Sequence, residues 1–179
     1  MKAVREMGQA ELAAYVQSHL REKGIDVILS GGAAVALYTS GRYVSRDLDF
    51  VNRYFARRPA ITQAMEDIGF KESERHFEHP DSVYIVEFPP GPLAVGDQPI
   101  TEIEEVPFET GTLRLISPTD CVKDRLAWYY HSGDRQCLLQ AVLVSKAHTI
   151  DLADVRRWSV AEGKLPEYEA FLEEIRDKR

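Results

Sequence analysis

At 179 residues and a formal net charge of −7, the chain can bury one full core and is too acidic to coat nucleic acid nonspecifically. Hydrophobic residues make up 44% and charged residues 28%, the balance of a soluble globular domain. The N-terminal Met-Lys-Ala-Val-Arg-Glu-Met has no apolar leader core and no apolar run is long enough to span a membrane, while Cys121 and Cys137 lack CxxC spacing; the expectation is a reduced, cytoplasmic protein.

Taken in order, Leu12, Ala13, Val16 and Leu20 recur at helical spacing and predict a helix from about Gln9 to Lys23, stopped by Gly24. Ile25, Val27, Ile28 and Leu29 predict a buried strand, and Ser30-Gly31-Gly32 turns it into a short helix from Ala33 to about Thr39. A second strand follows from Arg46 to about Asn52. Pro59 suits the first turn of a helix ending at Gly69. Phe70 to Phe77 and Ser82 to Phe88 read as two strands around the His79-Pro80-Asp81 turn. Pro89-Pro90-Gly91-Pro92 predicts an irregular loop, and Thr101 to Phe108 with Thr112 to Ile116 a hairpin. From Ser117 the pattern becomes helical: Ser117-Pro118-Thr119-Asp120 is a helix start, and four helices are expected, at about Pro118–Tyr130, Asp134–Ala147, Leu152–Glu162 and Pro166–Asp177. The domain reading is therefore an α/β core over residues 1–116 and a helical subdomain over 117–179.

The chemistry concentrates between Ile28 and Val51. Strand side chains alternate, so Asp47 and Asp49 project from one face and Leu48 and Phe50 from the other. Two neighbouring carboxylates repel, and a hard divalent cation relieves them. A glycine turn opening a helix beside that cation suits a phosphate. Five arginines (Arg42, Arg46, Arg53, Arg57 and Arg58) lie against those two acids, a local charge of +3 in a remainder of −10; this is either a collar for an anion or a solvated face. Glu87 is an acid in the otherwise apolar Tyr84-Ile85-Val86-Glu87-Phe88, and is read either as a third member of the acid set or as an edge residue facing water.

Gly31-Gly32 followed by Asp47-Leu48-Asp49-Phe50 and a later strand acid resembles the DNA polymerase β-type nucleotidyltransferase superfamily. The Arg42 and Ser45 lead-in and the Ser117-Pro118-Thr119-Asp120 helix carrying Lys123 are similar to its bacterial minimal branch, which includes abortive-infection toxins and antitoxins. The resemblance runs over about Ile25 to Ala147. It implies a mixed α/β (α+β) nucleotidyltransferase sheet flanked by helices and followed by a C-terminal helical bundle. It further implies Mg2+ or Mn2+ on Asp47, Asp49 and Glu87, with Ser30, Gly31, Gly32, Arg42, Ser45, Lys123 and Asp134 around the nucleotide. Lys123 also reads as an ordinary helix lysine, and Asp134 as a helix N-cap. The implied reaction moves NMP from an NTP such as ATP to a hydroxyl of RNA, at a tRNA 3′ end, or of a protein, in a toxin–antitoxin or phage-defence setting with a cognate partner; a small antibiotic hydroxyl would use the same core chemistry. The other reading is a weakly catalytic antitoxin or binding module that acts through a protein partner. Many relatives have Ser or Thr after the glycine pair, where this chain has Ala33.

Other readings are weaker. Asp47-Leu48-Asp49-Phe50-Val51 fits a dehalogenase-type phosphatase motif, but a strand–glycine–helix unit precedes it and no downstream acid pair follows. His76 and His79 lack further ligands at zinc spacing. Trp128-Tyr129-Tyr130-His131 reads first as a helix end packed on the sheet, and second as an aromatic platform.

Overall fold

The computed structural model describes residues 2–177. A single helical turn at Val4–Glu6 leads into α1 (Gln9–Glu22), β1 (Val27–Ser30), α2 (Gly31–Tyr38), β2 (Asp47–Asn52) and α3 (Arg58–Glu66). Strands β3 (Lys71–Ser73), β4 (His76–Glu78) and β5 (Ile85–Glu87) follow, then β6 (Ala94–Val95), β7 (Gln98–Pro99), β8 (Ile103–Phe108) and β9 (Gly111–Ile116). The chain closes with α4 (Pro118–Ser132), α5 (Arg135–Ala147), α6 (Leu152–Ala161) and α7 (Leu165–Arg176). Residues 178 and 179, the end of the helical subdomain expected from the sequence, lie outside the described residues.

Seven strands form one mixed sheet in the order β3-β4-β5-β2-β1-β9-β8. Strand β2 runs antiparallel to β1 and parallel to β5, and β1 runs parallel to β9. Leu29, Leu48, Phe50, Val86, Leu113 and Leu115 are buried and supply the centre of the core. Helix α1 covers the sheet by packing on β9 and β1, burying Leu12, Ala13, Val16 and Leu20. Its Gln17 does the work of a missing strand rung. The pairing of β1 with β9 is short, and the buried Gln17 amide donates to the Val27 carbonyl (2.6 Å) and the Arg114 carbonyl (2.8 Å) and accepts from the Arg114 N–H (2.5 Å). Backbone groups that would otherwise be buried without a partner are satisfied this way.

Two expected elements differ. The run from Phe70 to Phe77 is not one strand but the hairpin β3–β4, turning at Glu74 with φ 57°. Lys71-Glu72-Ser73-Glu74-Arg75 has no apolar alternation to hold a continuous strand, so the run is anchored in the core only at its ends, by Phe70 and Phe77. The proline-rich loop runs into the small β6–β7 hairpin, which pairs on its own outside the main sheet. That hairpin is docked on α6 by the Trp158 indole N–H, which donates to the Val95 carbonyl at 3.2 Å.

Helix α4 starts on a Ser117 cap whose hydroxyl accepts from the Asp120 N–H (3.1 Å), with Pro118 in the first turn, and ends on Gly133 in the left-handed region. Asp134 and Asp151 cap α5 and α6 in the same way. Tyr130 stacks on Trp158 (5.4 Å between ring centres) and its hydroxyl bonds that of Ser159, tying α4 to α6. The second tie is ionic. Lys123, only 3% exposed, lies 2.8 Å from Asp120 of its own helix and 2.8 Å from Asp154 of α6. Burial pulls its pKa down, and the two carboxylates outweigh that, so the ammonium stays charged. Lys123→Met leaves the buried Asp120 without its cation and Asp154 with Arg157 alone. It is expected to cost about 3 kcal/mol of stability, read as a lower urea midpoint at unchanged denaturant slope.

Candidate functional site

Pairing register assembles the acids. Asp49 of β2 stands opposite Ser30 of β1 on one side and Glu87 of β5 on the other, and Asp47 stands opposite Ile85. Partnered residues share a sheet face, as do residues two apart, so Asp47, Asp49, Glu87 and Ser30 are on one face. The sequence could give the Asp47–Asp49 relation; the position of Glu87 required the parallel pairing of β2 with β5.

The glycine pair closes over this face. Gly31 has φ 66°, and a Cβ there would run into the Asp49 carboxylate. A Cβ on Gly32 would lie 3.1 Å from the Ser45 hydroxyl oxygen and 3.3 Å from the Tyr43 ring. Ser45 in turn shapes the entry to β2, its hydroxyl accepting from the Asp47 N–H at 3.2 Å while Gln9 donates to its carbonyl at 2.8 Å. Ser30 donates weakly to the Asp49 carbonyl (3.4 Å) and caps nothing in α2. Ala33 is buried in the wall of an apolar cavity of about 370 Å3 that also touches Leu29 and Leu48, on the opposite side of β2 from the acids.

Asp49 bears the electrostatic load. Its pKa is pushed up to about 6 from an ordinary 3.8, first by burial and then by the charge of Glu87, with Asp47 and Asp124 adding to the rise. One cation opposes them, the Arg125 guanidinium. Arg125 is held by its neighbour Asp124 through two bonds (2.6 and 3.0 Å) and reaches Gln140 of α5 at 3.4 Å, with its side chain only 11% exposed. Its charge also pulls down Tyr43, which burial raises and which Cys137, Asp47 and Asp134 push further up. Tyr43, Asp124 and Arg125 were all missed in the sequence. A signal existed: Lys123 and Arg125 are separated by about 200° around a helix, so the two cannot serve one site, and Lys123 shares the phase of buried Leu126 and Tyr130.

The structure does not bring every expected residue to the acids. The partners of Lys123 are Asp120, Asp154 and Gln98, none of them from the acid-bearing strands. Asp134 is the N-cap of α5, accepting from the Gln136 N–H at 2.8 Å, at the outer rim near Tyr43 and Cys137. Arg42 is exposed in the turn before β2. The arginine collar is smaller than its sequence suggests, because Arg53 pairs with Asp26 (3.4 Å) and Arg58 with Glu72 (2.7 Å). Among the described residues no three acid, histidine or cysteine side chains are grouped to hold a metal by themselves. Asp47 is exposed and Asp49 partly buried, an arrangement that fits a magnesium-type ion taking one or two protein carboxylates and completing its shell with substrate phosphates.

The sheet order, the glycine-closed acid strand and the helical C-terminal half define a nucleotidyltransferase fold, and solved structures match it over nearly the whole chain. The antibiotic-resistance factor ANT(2″)-Ia, solved in complex with adenylyl-2″-tobramycin, is 17% identical, with 92% of this chain and 97% of that one covered and a TM-score of 0.51. An antigenic nucleotidyltransferase-like protein from Paracoccidioides brasiliensis is 14% identical over 92% of each chain, with a TM-score of 0.55. The lincosamide antibiotic adenylyltransferase LnuA, bound to lincomycin, is 17% identical over 79% of this chain and 99% of its own, with a TM-score of 0.53. No protein-family model matches the sequence, and comparison with curated protein sequences finds no match.

Between about pH 4 and 6 the folded state keeps the Asp49 proton that the unfolded chain releases, so stability falls through that window and the cost stands in full above it. Asp49→Asn is therefore expected to stabilise the metal-free protein by about 2 kcal/mol at pH 7.5, with the gain vanishing near pH 4 in thermal melts. Gly31→Ala is expected to lose about 2 kcal/mol or more, through the left-handed backbone and the collision with Asp49; combining it with Asp49→Gly should recover part of that loss.

Proposed function

We propose that the protein is a nucleotidyltransferase that moves NMP from an NTP to an acceptor hydroxyl. The observation that carries this reading is the register placing Glu87 beside Asp49 on the face that Gly31 closes. The hydroxyl oxygen attacks the α-phosphorus in line, the bond from that phosphorus to the bridging oxygen breaks, and pyrophosphate leaves. Glu87 accepts the hydroxyl proton, being on the acid face but outside the close Gly31–Asp49 contact. Asp47 and Asp49 are the residues that would hold Mg2+ or Mn2+, with substrate phosphates completing the shell and Glu87 beside them as the third acid. When bound, such an ion neutralises triphosphate charge and acidifies the attacking hydroxyl. Ser30, Gly31 and Gly32 line the start of α2 for the phosphates, and Ser45 fixes the approach to Asp47. The cation that α4 offers to this site is Arg125, in place of Lys123. Arg42 and Asp134 bound the site from the rim.

For the acceptor, a small polyhydroxylated molecule is favoured over an RNA end or a protein side chain. Two structural neighbours are named for antibiotic modification, one carrying an adenylylated tobramycin and the other a bound lincomycin. Arg53 and Arg58 are occupied by acids, and the whole chain is at −7, so a phosphate-tracking surface for RNA has little support. A toxin–antitoxin or phage-defence role with a cognate partner belongs to the RNA and protein readings and stands or falls with them. The second reading is a binding module with little turnover; Ala33 offers no hydroxyl to phosphate, but its place in the apolar cavity wall away from the acids takes weight from that argument.

The test is incubation with each α-labelled NTP and Mg2+ against three acceptor sets: hydroxylated antibiotics, RNA, and cell-lysate protein. Labelled small molecule with stoichiometric pyrophosphate is expected, and Asp47→Ala and Glu87→Gln should each lower the rate by about 100-fold or more without a loss of melting temperature. Label on RNA or protein would move the acceptor to those classes. Absence of both pyrophosphate and labelled product would leave the binding module.

A further inference from the structure

Of the aromatic run on α4, three rings are accounted for differently. Tyr130 is buried against Trp158, and Tyr129 is half-buried beside it. Trp128 is 57% exposed, and among the described residues no ring or cation stacks on it. Its helical phase is the informative feature. Trp128 comes four residues after Asp124 and three after Arg125, the two α4 side chains whose charges act on Asp49. It therefore occupies the same stripe of α4, one turn further from the helix start. Side chains on a helix lean towards its N-terminus, so the indole leans back towards the turn that carries Asp124 and Arg125. An indole left in water on the stripe that carries Asp124 and Arg125 is apolar area available to a planar ligand.

We propose that Trp128 is the stacking surface for the nucleobase of the bound NTP, with Arg125 beneath it on the phosphate side. This inference rests on the nucleotidyl-transfer reading. The base is the favoured occupant because it is the planar part of the substrate, and every base has a π-face that an indole can cover without sequence-specific hydrogen bonds. The arrangement gives affinity for nucleotides with weak discrimination among the four bases.

Trp128 and Trp158 are the two tryptophans of the chain, and Trp158 is buried, so fluorescence separates them. Wild type and Trp128→Phe are titrated with the α,β-methylene analogues of the four NTPs and with tripolyphosphate, each with Mg2+. Quenching by the analogues but not by tripolyphosphate, lost in Trp128→Phe, is expected. Trp128→Ala should raise KM for NTP about tenfold, with acceptor KM and melting temperature unchanged and most of the loss recovered by Trp128→Tyr. Equal quenching by tripolyphosphate, an unchanged NTP KM in Trp128→Ala, or a rise confined to the acceptor KM would overturn the assignment and leave the transferase reading standing. If calorimetry shows no nucleotide binding to the wild type, both are overturned.

Discussion

The contact between the Gly31 backbone and the Asp49 carboxylate is the constraint around which the α/β half is built. It requires β1 and β2 to pair so that Ser30 faces Asp49, and it requires a residue without a Cβ that accepts φ 66° at the start of α2. It also leaves Asp49 short of water and next to Glu87, which is why its carboxyl resists ionisation. A site that is costly to charge when empty becomes favourable when a cation arrives. The folded protein thus stores part of the driving force for filling the site as a local electrostatic penalty.

Helix α4 answers that penalty from the far side of the site. The charges of Arg125 and Asp124 both reach Asp49, the first opposing the penalty and the second adding to it, while Lys123, about 200° round the helix from Arg125, enters the ion-pair group with Asp120 and Asp154. The two basic residues are separated by one position in sequence and have different jobs. Lys123 holds the helical half together, while Arg125 sets the charge seen by the acids and by Tyr43.

Much of this was legible in the sequence because it depends on local rules. Alternation placed Asp47 and Asp49 together, and Ser117-Pro118 and Gly133 marked the ends of α4. What was not legible depends on pairing between distant segments. Glu87 joins the acid face through a parallel ladder to β2 that no local pattern encodes, and the break at Glu74 became visible only once β4 paired with both neighbours. The resemblance puts Lys123 at the phosphates, whereas its partners in the structure are Asp120, Asp154 and Gln98; rotation about the helix axis, not position along it, separates it from Arg125. Asp134 could be read as an N-cap from its own sequence neighbourhood, and the structure places it as one.

The Lys123 group has a mechanical consequence. A helix pinned along its back cannot roll, and roll is the motion to which its front is most sensitive: a 20° rotation of a helix whose side chains reach about 6 Å from the axis would sweep their tips by about 2 Å. With Lys123 tied to α6 and Tyr130 stacked on Trp158, α4 behaves as a keyed shaft, and α6 is its keyway. The azimuth of Arg125 is therefore set in part from a helix that supplies none of the acids it faces.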